Sequence, residues 1–296
     1  MKPLTAAAAT ALLSSCAPSP TTLTEPDPQR GGAFGEDGAF GAVLLHRDLR
    51  VRGDRVVAVD IIAATDDGTT PERGAVPVLL VQGGSVPVER YHWLAAHLAT
   101  RGAVVVAPRF LADLAFFDQA DAADSLAAAR AVSADDNDDL AGVIDDRGAL
   151  AIGHSLGGVV AASAFEYDHG IEALALLASY PDPASTPTRR DGRVLFLTGE
   201  QDGLVKRDDV VAGVQALQAP VVAADIAGLT HFQITDDPTD AELEKEGTTG
   251  EALDVVRPRL LFLLDALLAD VADTAGADVL DDEDRWPVGV TAVEQP

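Results

Sequence analysis

Short apolar runs alternate with longer amphipathic runs along most of this 296-residue chain. Six apolar runs have the length and β-branched content of buried strands, and five amphipathic runs have helical periodicity. The predicted strands cover 77–81, 103–108, 149–152, 171–177, 193–199 and 221–226, and the predicted helices cover 91–100, 124–132, 156–167, 207–217 and 253–270. Strands that alternate with helices predict a mostly parallel central sheet with helices on both faces.

Two strand patterns precede this alternation, near 41–49 and 55–63, and no helical pattern lies between them. Such a pair predicts an antiparallel hairpin at one edge of the sheet. The chain length and the single alternating pattern predict one α/β domain with one large core over 40–272. Residues 273–296 are rich in acidic side chains and are predicted to form a C-terminal tail.

The predicted sheet is expected to carry an open cleft. Only fifteen residues, 178–192, lie between two of the strand patterns, and a helical cap does not fit into that length. We expect the rim of the cleft to come from two segments. One is the apolar stretch 110–117, whose pattern equally suits core packing, and the other is an acidic loop over 236–251.

The first residues have the pattern of a secretion signal. A positive charge precedes an apolar stretch over 4–13, well short of the roughly 18 residues that a membrane span requires. Residues 13–16 read Leu-Ser-Ser-Cys and resemble a bacterial lipobox, and Cys16 is the only cysteine. We therefore predict a lipoprotein signal peptide over 1–15, a lipid anchor on Cys16 and a flexible tether over 16–39. The mature protein is then expected at the bacterial cell envelope or surface, and the alternative is a signal peptide with an incidental cysteine.

The formal net charge is −27 at pH 7. Phosphate contacts require clusters of Lys and Arg, so this charge argues against binding of nucleic acid and of polyanionic substrates. Abundant Asp and scarce Lys fit a saline habitat, where salt screens self-repulsion, and equally fit a base-composition bias of the genome. The acidic runs 135–139 and 281–284 lack the Gly and Glu spacing of a calcium loop, so they are predicted to be solvated surface. No metal or organic cofactor is expected.

The most informative local pattern is residues 153–157, which read Gly-His-Ser-Leu-Gly. An apolar strand pattern precedes it and a helical pattern of small residues follows, as on a sharp strand-to-helix turn that carries a nucleophilic serine. Glycines two residues to either side of the serine let strand and helix approach without Cβ clashes. We therefore predict Ser155 as the nucleophile and His154 as a structural residue.

Candidate partners for this serine follow downstream, the acid before the histidine. One strand pattern ends in a loop with Asp202, and the next leads to a loop with His231. A histidine can take the serine proton and return it to the leaving group, while an acid fixes the histidine tautomer. We predict Asp202 as the acid, with Glu200 as the alternative. No role is assigned to His46, His92, His97 and His169.

The loop after the strand pattern 77–81 has two consecutive glycines and is a candidate oxyanion hole. It reads Gln-Gly-Gly-Ser over 82–85 and can bring a backbone N–H close to a substrate carbonyl. One donor is predicted to be the N–H of Leu156, directly after the nucleophile. The second is predicted to be the N–H of Gly84, with Ser85 as the alternative. An ordinary Gly-Gly turn is the other explanation of this loop.

Together these stretches resemble the α/β-hydrolase fold. Within it they are similar to the group of dienelactone hydrolases, chlorophyllases, platelet-activating-factor acetylhydrolases and bacterial polyester hydrolases. The resemblance spans about 40–270 and is carried by 78–108, 153–158, 199–205 and 228–232. It implies a mostly parallel sheet with an antiparallel N-terminal edge hairpin, helices on both faces, no large cap domain, and a triad of Ser155, Asp202 and His231.

The chain departs from these relatives in the oxyanion loop. Many members have His-Gly where this chain has Gln82-Gly83. Polyester hydrolases tend to have an aromatic residue where this chain has Gly84, and their C-terminal disulfide is impossible with a single cysteine. The resemblance therefore favours a general esterase over a polyester hydrolase.

The function expected from the sequence is a secreted, membrane-tethered serine hydrolase. It would cleave small-molecule or lipid-like carboxylic esters through an acyl-enzyme. Two alternatives remain. One is a non-catalytic surface lipoprotein that keeps the hydrolase fold for binding a partner, and the other is hydrolysis of amides or thioesters by the same three residues.

Overall fold

The computed structural model describes residues 20–27, 33–114, 119–184, 186–274 and 276–293. The strands are β1 (Thr21–Thr24), β2 (Gly41–Arg50), β3 (Val56–Thr65), β4 (Val76–Val81), β5 (Ala103–Pro108), β6 (Ala149–His154), β7 (Ile171–Leu177), β8 (Arg193–Gly199), β9 (Val221–Ile226) and β10 (Val290–Ala292). The helices are α1 (His92–Thr100), α2 (Gln119–Ser133), α3 (Leu156–Tyr167), α4 (Arg207–Ala216), α5 (Asp240–Glu246), α6 (Leu253–Val271) and α7 (Gly276–Leu280).

All ten strands belong to one sheet, in the order β1-β2-β3-β5-β4-β6-β7-β8-β9-β10. The six strands β5, β4, β6, β7, β8 and β9 are mutually parallel. The pairs β1/β2, β2/β3, β3/β5 and β9/β10 are antiparallel. The predicted mostly parallel sheet with antiparallel N-terminal strands is therefore confirmed. Because parallel strands align, the carboxyl ends of β4, β6, β8 and β9 lie along one edge, where ligands bind in open α/β sheets.

Both faces of the sheet are covered by helices, and this explains the uninterrupted apolar runs of the central strands. In β4, Val78 and Leu80 face the cluster that includes residues of α1 and α6, while Leu79 and Val81 face the cluster that includes residues of α2, α3 and α4. All four side chains are buried. Within the described residues no helix lies between β7 and β8, in agreement with the absence of a large cap. None of the described helices is both long enough and apolar enough to cross a bilayer.

The structure differs from the sequence prediction at both ends of the domain. Within the range 16–39, predicted as a flexible tether, strand β1 pairs with β2, so the predicted hairpin is not the edge of the sheet. Within the predicted acidic tail, α7 packs against the core and β10 pairs with β9. The physical reason is the same at both ends. An uncovered edge strand presents free N–H and C=O groups, and even a short segment of chain can pair with them.

Helix α5 is a third difference, because 236–251 was predicted as a loop. The helix starts with a capping box, in which the side chain of Thr239 accepts from the N–H of Glu242 and the Glu242 side chain accepts from the N–H of Thr239. It ends at Gly247, which has the left-handed φ of 70° that glycine adopts without strain. The Thr-x-x-Glu and Gly signals are present in the sequence, but the helix lacks the apolar periodicity used for the prediction.

His97 on α1 connects three parts of the fold. Its side chain is 3 % exposed, with Nδ1 3.0 Å from Asp37 Oδ1 and Nε2 2.9 Å from Asp265 Oδ1 of α6. Burial by itself would lower the pKa of His97. The hydrogen bonds to Asp265 and Asp37 outweigh burial and raise the pKa to about 9.

This raised pKa predicts a pH-dependent stability. A protonated His97 stabilises the fold fully below its unfolded pKa of about 6.5, and the contribution is lost as the pH rises through about 9. The expected loss is about 3 kcal/mol in the free energy of unfolding. Urea unfolding at pH 6 and pH 10 should show this loss in the wild type and in His169→Gln, whose histidine is exposed, but not in His97→Leu. Equal pH dependence in all three proteins would contradict the prediction.

Candidate active site

Ser155 lies on a sharp turn between β6 and α3, as predicted, with the strained dihedral angles φ 52° and ψ −126°. The flanking glycines permit this turn because the backbone approaches them closely. A Cβ on Gly153 would lie 2.5 Å from the carbonyl oxygen of Gly157, and one on Gly157 would lie 2.2 Å from that of Gln82. Any larger residue at either position would push β6, α3 and the loop after β4 apart.

The neighbouring strand β7 holds Ser155 in this conformation. The N–H of Ser155 donates to the carbonyl oxygen of Leu177 at 3.0 Å, and its own carbonyl oxygen accepts from Ser179 Oγ at 2.6 Å. A backbone in a sparsely populated region persists only where its surroundings fix it, and such residues concentrate at functional sites. Ser179 is a supporting residue that the sequence prediction did not identify.

Asp202 and His231 come together at the carboxyl ends of β8 and β9. Oδ2 of Asp202 lies 3.0 Å from Nδ1 of His231, and the two side chains are 1 % and 2 % exposed. The other oxygen, Oδ1, accepts from the N–H groups of Leu204 and Val205, both at 2.8 Å. The carboxylate is therefore fixed in direction by its own loop and bonds the imidazole with the remaining oxygen.

Glu200, the alternative acid, does not bond His231. Its residue is exposed, and Oε2 accepts from the N–H of Gly228 at 3.4 Å. Of the two carboxylates that the sequence left open, the structure pairs Asp202 with the histidine.

The ring of His231 lies beside the residue that precedes the serine. The centroids of the His231 and His154 rings are 4.7 Å apart, and Phe232 packs edge-on against His231 at 5.1 Å. Within the described residues neither Nε2 of His231 nor Oγ of Ser155 forms a hydrogen bond. Both atoms are therefore available to bond each other or a substrate. Catalytic hydrogen bonds often tighten only when substrate is bound.

His154 is fully buried and bonded to Tyr91, in agreement with the structural role predicted for it. Nδ1 of His154 lies 2.7 Å from the hydroxyl oxygen of Tyr91, and that oxygen accepts from the N–H of Gly83 at 2.8 Å. Burial lowers the pKa of His154 well below its usual range, and the adjacent His231 lowers it further. The ring beside His231 is therefore neutral. Tyr91 links this ring to residues 82–85, the loop with two consecutive glycines (the glycine loop). The sequence prediction did not identify Tyr91.

The hydrogen bonds of the glycine loop distinguish between the predicted oxyanion donors. The N–H of Gly83 is bonded to Tyr91, and the N–H of Ser85 donates to the carbonyl oxygen of Asp113 at 2.8 Å. The alternative donor Ser85 is therefore already engaged. The N–H groups of Gly84 and Leu156 have no acceptor among the residues described. These two residues are neighbours, since a Cβ on Gly84 would lie 3.1 Å from Cδ2 of Leu156.

Gln82 precedes the two glycines of this loop, and its amide Nε2 donates to Oδ1 of Asp113 at 3.2 Å. Asp113 therefore holds the glycine loop twice, through its carboxylate and through its carbonyl. Ser85 and Asp113, which are joined by the backbone hydrogen bond, both have a strained backbone, with φ 61° at Ser85 and φ 55° at Asp113. Part of the apolar stretch predicted as a cleft wall, residues 115–117, lies outside the described residues, as does Cys16.

No group of three or more His, Cys, Asp or Glu side chains in the described ranges could hold a metal ion. Comparison with known proteins gives one family. A model of the alpha/beta hydrolase family matches residues 77–237, more than half of the chain. The matched segment includes Gly84, Ser155, Asp202 and His231. No curated protein matches the chain.

Proposed function

Because the chain belongs to the alpha/beta hydrolase family, we propose that it is a serine hydrolase that cleaves carboxylic esters through an acyl-enzyme. The observation that carries the proposal is the buried hydrogen bond between His231 and Asp202, with the imidazole packed beside the turn that bears Ser155. A serine hydroxyl is a weak nucleophile without an adjacent base, and a histidine without an oriented tautomer is a poor base.

In the proposed acylation step, Nε2 of His231 takes the proton of Ser155 as Oγ attacks the ester carbonyl carbon. The carbonyl oxygen becomes negatively charged, and the N–H groups of Leu156 and Gly84 stabilise it. Asp202 stabilises the imidazolium that forms on His231. The neutral ring of His154 adds no opposing charge at this moment, which favours proton transfer to its neighbour.

The intermediate then collapses with cleavage of the bond to the leaving alcohol. His231 gives its proton to the alcohol oxygen, and the acyl group remains on Oγ of Ser155. A water molecule replaces the alcohol, transfers a proton to His231 and attacks the acyl carbon. Collapse of this second intermediate returns the proton to Ser155 and releases the carboxylic acid.

Among the described residues no helix lies between β7 and β8, so a cleft at this sheet edge would admit a bulky, lipid-like alcohol or acyl group. The test is acylation of the wild-type protein by p-nitrophenyl butyrate, stopped with acid and analysed by mass spectrometry. We expect one butyryl group on the peptide that contains Ser155 and continuing release of p-nitrophenolate. Hydrolysis by Ser155→Ala at the wild-type rate would contradict the acyl-enzyme route, because that variant has no Oγ at position 155 to carry the acyl group.

We further propose that the protein is secreted and tethered to a membrane through a lipid on Cys16. The proposal is supported by the lipobox-like residues 13–16 and by the single cysteine at the required place. Expression in a bacterial host should place the wild type in the membrane fraction and Cys16→Ser in a soluble fraction. The same distribution for both proteins would contradict anchoring.

A further inference from the structure

Glu246, the last residue of α5, is a buried carboxylate whose two oxygens bond two different loops. Its residue is 6 % exposed. Oε1 accepts from the N–H of Phe232 at 2.8 Å, and Oε2 accepts from the N–H of Gly203 at 3.0 Å. Phe232 directly follows His231, and Gly203 directly follows Asp202. One side chain therefore connects the backbone next to the base with the backbone next to the acid.

The carboxylate has no cationic partner. Among the described residues no Lys, Arg or His forms an ion pair with Glu246, so the two backbone N–H groups provide its compensation for burial. Burial of an unpaired charge is costly, whereas an apolar residue at the same place would bear no such cost. Charge-assisted hydrogen bonds to backbone are, however, strong and well directed. This suits a residue that fixes the positions of two loops.

Close packing keeps α5 against the loop that carries Asp202, residues 200–206 (the acid loop). A Cβ on Gly203 would lie 2.6 Å from the carbonyl oxygen of Glu246, so only glycine lets the helix end approach the loop. Beyond the helix, Thr248 Oγ1 donates to Oε1 of Gln201 at 3.1 Å. Residues 246 and 248 of one segment thus hold the loop on both sides of Asp202.

The segment 246–251 also supports the base loop, which is the chain around His231 between β9 and α5. Oε1 of Gln233 accepts from the N–H of Thr230 at 2.9 Å. Nε2 of Gln233 donates to the carbonyl oxygens of Thr249 and Glu251, at 3.1 and 2.6 Å. The N–H of Glu251 also donates to the carbonyl oxygen of Gly228 at 2.8 Å, so residues 246–251 bond the chain on both sides of His231 as well as of Asp202.

Arg90 fixes the start of this segment to the body of the domain. Its guanidinium bonds both oxygens of Glu242, at 2.8 and 3.0 Å, and the carbonyl oxygen of Asp236 at 2.6 Å. Both side chains of this pair are largely buried. Helix α5 is consequently anchored at its first turn by Arg90 and bonds the two loops at its last residue.

We infer that Glu246 is a positioning residue that sets the distance and angle between Asp202 and His231. The inference rests on the proposed function, in which these two residues act as acid and base. Small displacements of catalytic groups reduce rates strongly, on the order of 100-fold for about 1 Å. Loss of Glu246 should therefore slow the chemical step more than it weakens substrate binding, because its two hydrogen bonds end on the loops of the acid and the base.

The test compares Glu246→Ala, Glu246→Gln and the control Glu244→Gln, an exposed residue on the same helix. For p-nitrophenyl butyrate we expect kcat to fall about 10- to 100-fold in Glu246→Ala with KM changed less than about threefold. Glu246→Gln keeps one acceptor oxygen and the side-chain shape, so its kcat should be intermediate. Glu244→Gln should match the wild type. All rates are normalised to the fraction of protein that unfolds cooperatively on heating.

A second measurement does not depend on turnover. The Nδ1–H proton shared by His231 and Asp202 gives a far-downfield proton NMR resonance, which we expect in the wild type and Glu244→Gln and expect lost or broadened in Glu246→Ala. An unchanged resonance and unchanged kcat in a folded Glu246→Ala would overturn the inference. A wild type that hydrolyses no ester would overturn the proposed function, and the resonance would still decide whether Glu246 positions the pair.

Discussion

Alanine at position 155 should reduce kcat/KM for short p-nitrophenyl esters by at least about 10,000-fold. The substitution removes the only atom proposed to bond the substrate covalently, and the remaining groups can only bind substrate and stabilise an oxyanion. Folding should be unaffected, since the backbone of Ser155, not its hydroxyl, makes the contacts to Leu177 and Ser179. Initial rates and the melting temperature measure the two effects separately.

Ser163→Ala is the matched control, because Ser163 lies on the same helix α3 away from the turn. A fluorophosphonate probe, which labels activated serines, should label the wild type and Ser163→Ala and leave Ser155→Ala unlabelled. Equal labelling of all three proteins would show that another residue is the nucleophile. Loss of labelling together with loss of cooperative unfolding would show that the substitution disrupts the fold.

Asp202→Asn is expected to lower kcat by about 1,000- to 10,000-fold, whereas Glu200→Gln should lower it less than about threefold. An amide can donate to Nδ1 of His231 and so favour the tautomer in which Nε2 carries the proton. That tautomer cannot accept the proton of Ser155. The Glu200 carboxylate bonds Gly228 and not the imidazole, so its replacement leaves the tautomer of His231 unchanged.

Asp202→Asn and Glu200→Gln form a matched pair. The two positions lie two residues apart on the same loop, and both substitutions replace a carboxylate with an amide. Initial rates across pH 5 to 9 are the measurement. A larger loss in Glu200→Gln than in Asp202→Asn would mean that the loop rearranges and that Glu200 serves as the acid. Equal small losses would mean that no carboxylate orients the histidine.

Much of the fold was predictable because its central strands are buried on both faces. Such strands appear as uninterrupted apolar runs, and β5, β7, β8 and β9 begin and end where the sequence predicted. The turn at Ser155 was predictable for a different reason. Its glycines are required by contacts within a few residues and with one neighbouring loop, so the requirement is visible as a short local pattern.

The elements that were missed depend on distant parts of the chain. Strand β1 consists of threonines and one leucine in a polar region, and it becomes a strand only because β2 offers a free edge. Strand β10 follows an acidic segment and pairs with β9 for the same reason. Neither has the alternating pattern of a strand that is half-buried, so periodicity alone gives no signal.

The details of the candidate site show the same limit. The sequence left Asp202 and Glu200 open, and also Gly84 and Ser85, because each pair lies within a loop whose direction is not encoded by its own residues. Choosing between Gly84 and Ser85 requires knowing that the carbonyl of Asp113 lies beside Ser85, nearly thirty residues away in sequence. The role of Glu246 is hidden similarly, since an isolated Glu among acidic residues looks like solvated surface.

The position of the two short outer strands has a practical consequence for protein production. A fragment trimmed to the family-matched residues 77–237 would lack β1, β2 and β3 on one side and β10 on the other, together with α6. It would leave long hydrogen-bonding edges and a bare apolar face in water, which are the usual causes of insoluble aggregates. The smallest soluble recombinant version should therefore start before Thr21 and extend through Val293.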